Sequence, residues 1–142
     1  MQTSHATILV IEKHPLMRAA LVNAIVDESD LTIAAVASDT GDIWKIIESL
    51  QPHIILFAIG NPGKDDLEAL RVLRERAPKT AILAMTTHEI LGQDQSALAH
   101  GADVVLAKTA PRAELLRSLR MMKASVKCSK ENVPHVLRRD TG

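Results

Sequence analysis

The stretch IILFAI, residues 54–59, is an unbroken apolar run between Pro52-His53 and the turn residues of 60–63. A short apolar run bounded by turn residues is typical of a strand that is buried on both faces in the middle of a parallel sheet. In an open parallel sheet, ligands and reactions lie at the carboxyl ends of the strands. Here that end is Ala58-Ile59-Gly60, which offers a methyl group where a reaction needs a carboxylate, a hydroxyl or an imidazole.

Strands and helices alternate on both sides of this run. Four more apolar runs predict strands, and apolar positions three or four residues apart predict helices between them. The predicted strands are 7–11, 31–37, 54–59, 81–85 and 103–107. The predicted helices begin at Pro15, after Ser38 or Asp39, after Asp65 or Asp66, near Ile90 and at Pro111.

This alternation predicts an α/β fold with a parallel sheet, helices on both faces and right-handed crossovers. The common five-strand arrangement is the flavodoxin-like (βα)5 fold, a doubly wound parallel sheet with strand order 2-1-3-4-5. In that order strands 1 and 3 are neighbours, so Glu12 and Lys13 are predicted to lie beside Ala58. Strands 4 and 5 add Thr86 and Lys108 to the same edge.

The chain is predicted to hold one domain, residues 1–123, followed by a basic tail, residues 124–142. Apolar residues are sparse in the tail and Pro134 interrupts it, which predicts a flexible or partner-docked segment. The tail carries a net charge of +2, from Lys127, Lys130, Arg138 and Arg139 against Glu131 and Asp140.

The composition excludes several classes of protein. The 17 basic and 17 acidic residues balance, and Trp44 and Phe57 are the only aromatic residues, so a nucleic-acid site built on stacked aromatics is not expected. The single cysteine, Cys128, excludes an internal disulfide or a cysteine zinc cluster. We see no signal peptide and no apolar run near the roughly 20 residues of a membrane helix, so the predicted location is the cytoplasm.

Trp44 is predicted to cover the edge of the core, with an exposed contact site as the alternative.

Four stretches carry the most specific signal when they are taken together in order: ILVIEKHPLMRAAL (8–21), ASDTGDIWKIIESLQPHIIL (37–56), NPGKDDLEALRVLR (61–74) and GADVVLAKTAPRAELLRSL (101–119). Over about residues 7–123 they resemble the receiver domain of bacterial two-component response regulators. The segments HPLMRAAL and LEALRVLR, in the first and third stretches, are most similar to the nitrate-response subfamily, whose receivers usually precede a DNA-binding domain. The tail is too short for such a domain, so we expect a stand-alone module.

The resemblance implies a phosphorylation pocket, and this sequence fills it only in part. In the family an acidic pair after strand 1 holds Mg²⁺, an Asp ending strand 3 accepts the phosphoryl group, and a Thr or Ser and a Lys bind its oxygens. Thr86 and Lys108 match the last two positions, and Glu12 keeps one carboxylate. Lys13 stands where the second acid is expected, and Ala58 stands where the phospho-acceptor is expected.

The switch positions of the family map to Thr86 and to Val105, where an aromatic residue is usual. Thr86 is therefore either a pocket residue or a plain strand-end hydroxyl. Asp39, Asp65 and Asp66 are not placed at the end of strand 3, so none is expected to replace the acceptor.

A methyl group cannot attack phosphorus, so no acyl phosphate is expected at Ala58. No metal is predicted either, because Mg²⁺ prefers several hard oxygen ligands and Glu12, Lys13 and Lys108 together carry a net charge of +1. Two readings of Lys13 stay open. Its ammonium group either takes the place of the metal and pairs with Glu12, or points to solvent.

The predicted function is that of an atypical receiver, without enzymatic activity or cofactor, that acts in two-component or phosphorelay signalling through protein contacts. The expected partner is a histidine kinase, another regulator or a second copy of the chain. The expected surface is the face of helix 4, strand 5 and helix 5. Arg112, Arg117, Arg120 and Lys123 either make that side basic or are solvated helix charges.

Two alternatives belong to other classes of protein. A small-ligand-binding or enzymatic protein on a flavodoxin-like fold needs a phosphate-cradling loop after strand 1, and Glu12-Lys13-His14-Pro15 is not such a loop. Nucleic-acid contact through the basic tail is weakly supported by its net charge of +2.

Overall fold

The computed structural model describes residues 5–41, 43–60, 64–87 and 92–130, with side chains described as far as residue 125. Five strands and five helices alternate along the chain. The strands are β1 Ala6–Ile11, β2 Leu31–Ala37, β3 Ile54–Ala58, β4 Ala81–Thr86 and β5 Val104–Ala107. The helices are α1 Pro15–Ile25, α2 Ile43–Leu50, α3 Lys64–Arg76, α4 Gln93–Ala99 and α5 Arg112–Lys130.

All five strands are parallel and form one sheet in the order β2-β1-β3-β4-β5. The predicted flavodoxin-like fold and strand order are confirmed. β3 is the central strand, and every one of its residues is buried. The register aligns Ile11 of β1 with Phe57 of β3, and Ala58 with Met85 of β4. The carboxyl ends of the three central strands therefore meet at one edge.

The core has two layers, one on each face of the sheet. Side chains alternate along β3, because successive residues of a strand point to opposite faces. Ile54 and Leu56 pack with residues of α1 and α5, whereas Ile55 and Phe57 pack with residues of α2, α3 and α4. Trp44 is half-buried against the second layer, as predicted, and the Arg76 guanidinium lies 4.2 Å from the centre of its ring.

Helix ends follow the local sequence. Pro15 is the first residue of α1, where its missing N–H would be unpaired in any case. Gly101 follows the end of α4 with φ +125°, and a Cβ there would lie 2.5 Å from the Cβ of Arg74. Glycine is therefore required at this turn for both backbone and packing reasons.

The structure differs from the sequence-based prediction at the ends of two helices. α5 continues to Lys130, so it crosses the predicted boundary between domain and tail at residue 123. The remainder of the predicted tail, 131–142, lies outside the described residues. The prediction was that Asp65 or Asp66 caps α3, but both lie inside its first turn. Acidic side chains are stabilising there because they interact with the positive end of the helix dipole. Among the described residues, no helix is both long and apolar enough to cross a membrane.

Candidate functional site at the carboxyl edge of the sheet

The fold brings the five predicted pocket residues to one edge of the sheet. Glu12 and Lys13 directly follow β1, Ala58 ends β3, and Thr86 ends β4. Lys108 directly follows β5 and is held beside β4, because its backbone N–H donates to the Thr86 carbonyl at 2.7 Å. The positions that sequence reasoning grouped are therefore neighbours in space.

Ala58 presents only hydrocarbon at the centre of this edge. It is 7% exposed and is aligned with Met85 on β4. The next residue, Ile59, is fully buried, and its N–H donates to the Met85 carbonyl at 2.9 Å. The end of β3 thus offers no nucleophilic side chain.

Glu12 is the most deeply buried acid of the edge, at 2% exposure. Its Oε2 accepts a hydrogen bond from the backbone N–H of His14 at 2.9 Å, so the carboxylate is bound to the loop that follows β1. Its Oε1 lies 3.7 Å from Nζ of Lys108 and has no hydrogen-bond partner among the described residues. Lys108 is therefore the cation that faces Glu12.

Lys13 pairs with Asp66 rather than with Glu12. Its Nζ lies 3.0 Å from Oδ1 of Asp66, while the other carboxylate oxygen accepts the Gly60 N–H at 2.7 Å. The first turn of α3 places Asp66 at the edge, and Glu12 is already turned toward Lys108. Both readings of Lys13 are therefore corrected: its side chain is 57% exposed, yet its ammonium is paired, with a carboxylate from α3.

Asp66 also changes the charge of the edge. Sequence reasoning counted one carboxylate and two ammonium groups, a net charge of +1. With Asp66 included, two carboxylates face two ammonium groups and the charges cancel. We call Glu12, Lys13, Asp66 and Lys108 the edge cluster.

Thr86 is fully buried, and its hydroxyl donates to the carboxylate of Asp94 in the first turn of α4. The neighbouring Gln93 is also buried. Its Oε1 accepts the Thr87 N–H at 3.0 Å, and its Nε2 donates to the Gly60 carbonyl at 3.4 Å. The Thr86 hydroxyl is thus committed to α4. Val105, the other predicted switch position, lies within β5 and packs on the α2, α3 and α4 layer.

The edge does not fit the Mg²⁺ ion that the family resemblance implies. Mg²⁺ needs several free hard oxygens in near-octahedral geometry. Both oxygens of Asp66 are in use, one oxygen of Glu12 is in use, and the other faces the Lys108 ammonium. Across the described part of the chain, no group of three or more His, Cys, Asp and Glu residues is arranged to hold a metal.

A second charged cluster occupies the flank where α5 meets the loop after α1. Arg112 lies 2.6 Å from Glu28, Arg120 lies 2.8 Å from Asp30, and Lys123 lies 3.1 Å from Asp30. Arg120 also contacts Glu28 at 2.5 Å. The two alternatives for the basic residues of α5 were a basic face and solvated helix charges. Neither included the pairing with acids that three of the four residues show in the structure. We call Glu28, Asp30, Arg112, Arg120 and Lys123 the flank cluster.

These contacts shift the ionisation of the flank acids. The hydrogen bond from Arg120 holds the pKa of Asp30 well below its usual range, and the hydrogen bond from Lys123 acts in the same direction. The pKa of Glu28 is lowered as well, first by Arg120 and then by Arg112. The same pairing raises the pKa of Arg120, so it stays charged. Arg117, the fourth predicted basic residue, is exposed.

Sequence reasoning missed three residues of the site: Asp66, Gln93 and Asp94. Asp66 could have been predicted from the sequence, since an acid in the first turn of a helix that follows a strand lies near the end of that strand. Gln93 and Asp94 could not, because the apolar pattern of α4 is too weak to place the start of the helix.

A parallel five-stranded sheet of this order, with Glu12 after β1, Thr86 at the end of β4 and Lys108 after β5, is the arrangement that the resemblance to receiver domains implies. The chain belongs to the response regulator receiver domain family, whose model matches residues 8–120. The predicted resemblance is thereby confirmed. Membership of this family does not favour the alternative of an enzymatic or ligand-binding flavodoxin-like protein.

Individual relatives agree with this assignment. The nitrate/nitrite response regulator protein NarL of Escherichia coli is 32% identical over 132 residues, which cover 93% of this chain and 61% of that protein. The transcriptional activator protein ExaE of Pseudomonas putida is 30% identical over 118 residues, covering 82% of this chain and 55% of that protein. The chain thus spans less than two thirds of these relatives.

A solved structure shows the same fold. The two-component response regulator of the LuxR family from an Aurantimonas species superposes with a TM-score of 0.74 at 25% sequence identity, covering 85% of this chain and 86% of that chain.

Proposed function

We propose that this chain is a receiver module of two-component signalling that acts through protein contacts and is not phosphorylated at the end of β3. The observation that carries the proposal is the buried methyl group of Ala58 at the position where the family resemblance expects the acceptor. An acyl phosphate needs a carboxylate there, and hydrocarbon cannot replace it.

The pairing of Lys13 supports the same proposal. The family resemblance implies that phosphoryl transfer depends on a metal ion at this edge. In this chain the Lys13 ammonium already neutralises a carboxylate there, since its Nζ lies 3.0 Å from Oδ1 of Asp66. A divalent ion would have to displace a cation from a carboxylate whose other oxygen binds Gly60. Both the acceptor and the metal are therefore absent from the proposed mechanism.

The proposed input is a protein rather than a phosphoryl group. Candidates are a histidine kinase, another regulator or a second copy of the chain, bound through the face of α4, β5 and α5. Arg117 of α5 is exposed, whereas Arg112 and Arg120 are engaged in the flank cluster. The module has no catalytic step of its own in this proposal.

Incubation with acetyl phosphate and Mg²⁺, followed by intact-mass measurement, tests the proposal. We expect the mass of the wild-type chain to stay unchanged and no beryllofluoride complex to form. The variant Ala58→Asp should gain little, because Lys13 still opposes the metal. The double variant Ala58→Asp with Lys13→Asp should gain more and serves as the positive control.

Two outcomes would contradict the proposal. One is a wild-type chain that gains the mass of a phosphoryl group in a Mg²⁺-dependent way. If it does, Asp66→Asn and Asp65→Asn distinguish the edge carboxylate from its exposed neighbour as the acceptor. The other is strong labelling of Ala58→Asp alone, which would show that Lys13 does not exclude the metal.

A further inference from the structure

A continuous series of polar contacts crosses the edge from the loop after β1 to α4. Lys13 contacts Asp66, whose second oxygen accepts the Gly60 N–H. The carbonyl of the same Gly60 accepts from Gln93, whose amide oxygen in turn accepts the Thr87 N–H. Both polar backbone groups of Gly60 are thus bound by side chains from two different helices. We call this series the edge relay.

The two side chains that form the relay are buried. Asp66 is 8% exposed and Gln93 is 3% exposed, so water cannot readily replace a lost partner. A buried polar group left without a partner costs more free energy than an exposed one, so each contact constrains the next. Lys13 differs, because its side chain is more than half exposed and can be reached from solution.

We propose that the edge relay couples the loop after β1 to α4, so that the paired or unpaired state of Lys13 changes the local stability of α4. Loss of this pairing leaves the Asp66 carboxylate without its cation and alters its contact with Gly60, whose carbonyl in turn accepts from Gln93. The coupling is measured without a partner or a phosphodonor, so it is tested independently of the proposed function.

Amide hydrogen exchange of the full chain tests the coupling. The test variants are Lys13→Met, Asp66→Asn and Gln93→Ala. We expect the amides of Ala97 to Ala102 to exchange about twofold to tenfold faster in each, while the β3 amides keep their rates. The contact between Gln93 and Gly60 is long, at 3.4 Å, and Asp66→Asn keeps an acceptor for the Gly60 N–H. The effects of Lys13→Met and Asp66→Asn should therefore be similar to each other and smaller than that of Gln93→Ala.

Matched controls come from the neighbouring residues. Asp65 lies in the same first turn of α3 and is exposed, and Gln95 lies in α4 and is exposed. Asp65→Asn and Gln95→Ala should leave the exchange of α4 unchanged. Faster exchange in Gln93→Ala with none in Asp66→Asn and Lys13→Met would overturn the proposal, since the contacts would then end at Gln93. Equal acceleration of β3 and α4 would overturn it too, because coupling predicts a local change. Phosphorylation of the wild type would refute the proposed function and leave this result standing.

Discussion

The edge cluster and the flank cluster are both built from carboxylates facing cations, but they differ in burial and in redundancy. Glu12 of the edge cluster is 2% exposed and faces a single ammonium. In the flank cluster, three cations share two carboxylates whose side chains are about one-fifth exposed, at 22% for Glu28 and 19% for Asp30. Removal of Glu12 therefore leaves the largely buried Lys108 ammonium without a carboxylate, whereas at the flank a second partner remains after any one cation is removed.

This difference separates two tasks that charged residues perform in one small domain. Buried charge pairs gain little net stability, because desolvation offsets their attraction, yet removal of one partner is costly. Such pairs fix a geometry. Exposed pairs add little each and are screened by salt. On this basis the edge cluster positions the strand ends, and the flank cluster fastens α5 to the rest of the domain.

The largest effect is expected from Glu12→Ala. The substitution leaves the Lys108 ammonium without a carboxylate and the His14 N–H without its acceptor. We expect the free energy of unfolding to fall by about 2–4 kcal/mol, because the Lys108 side chain that loses its carboxylate is only 18% exposed. Urea denaturation at pH 7 measures this change.

The control for that experiment is Glu48→Ala. Glu48 is an exposed acid on α2, so the same change of side chain should alter the free energy of unfolding by less than about 0.5 kcal/mol. An equal loss of unfolding free energy in the two variants would show that the burial of Glu12 does not affect stability. The contrast between the two clusters would then not hold.

A smaller effect is expected from Asp66→Asn. The amide oxygen still accepts the Gly60 N–H, so only the contact with Lys13 is lost, and Lys13 is half in solvent. We expect a loss of about 1 kcal/mol, measured by urea denaturation in low and high salt. Asp65→Asn, one residue earlier and exposed, should be neutral. A neutral Asp66→Asn would mean that Lys13 contributes nothing to the folded state.

The sequence predicted the sheet and its order because apolar periodicity is local. The run of residues 54–59 can be buried on both faces only at the centre of a sheet, and the alternation with helices then leaves few topologies. The same logic placed Glu12, Ala58, Thr86 and Lys108 at one edge, since parallel strands end there together. The strand order and the residues at the strand ends could be predicted without knowing where any side chain points.

The partners of the charged groups could not be predicted in this way. Lys13 and Asp66 are 53 residues apart in the chain, and their contact depends on how α3 meets the end of β3. The partners of Arg120 depend on which face of α5 lies over the loop after α1. Beyond Met122 the apolar pattern weakens while α5 continues, so the end of that helix was also missed.

The smallest effect is expected at the flank, from Arg120→Ala. Lys123 still reaches Asp30 and Arg112 still reaches Glu28, so we expect a loss of less than about 1 kcal/mol at pH 7. The pH dependence identifies the cause. Arg120 lowers the pKa of Asp30 in the folded state below its ordinary value of 3.8, so the stabilisation is present above about pH 4 and is lost as the pH falls further.

In Arg120→Ala the pKa of Asp30 should return toward its ordinary value. The difference in stability between wild type and variant should therefore shrink as the pH falls below about 4, and urea denaturation at pH 6, 4 and 3 measures it. Arg117→Ala, an exposed arginine of the same helix, is the control and should show no such trend. A difference that stays constant with pH would assign the effect of Arg120 to packing of its aliphatic stem rather than to its charge, because packing does not titrate. The flank would then differ from the edge in kind of interaction and not only in burial.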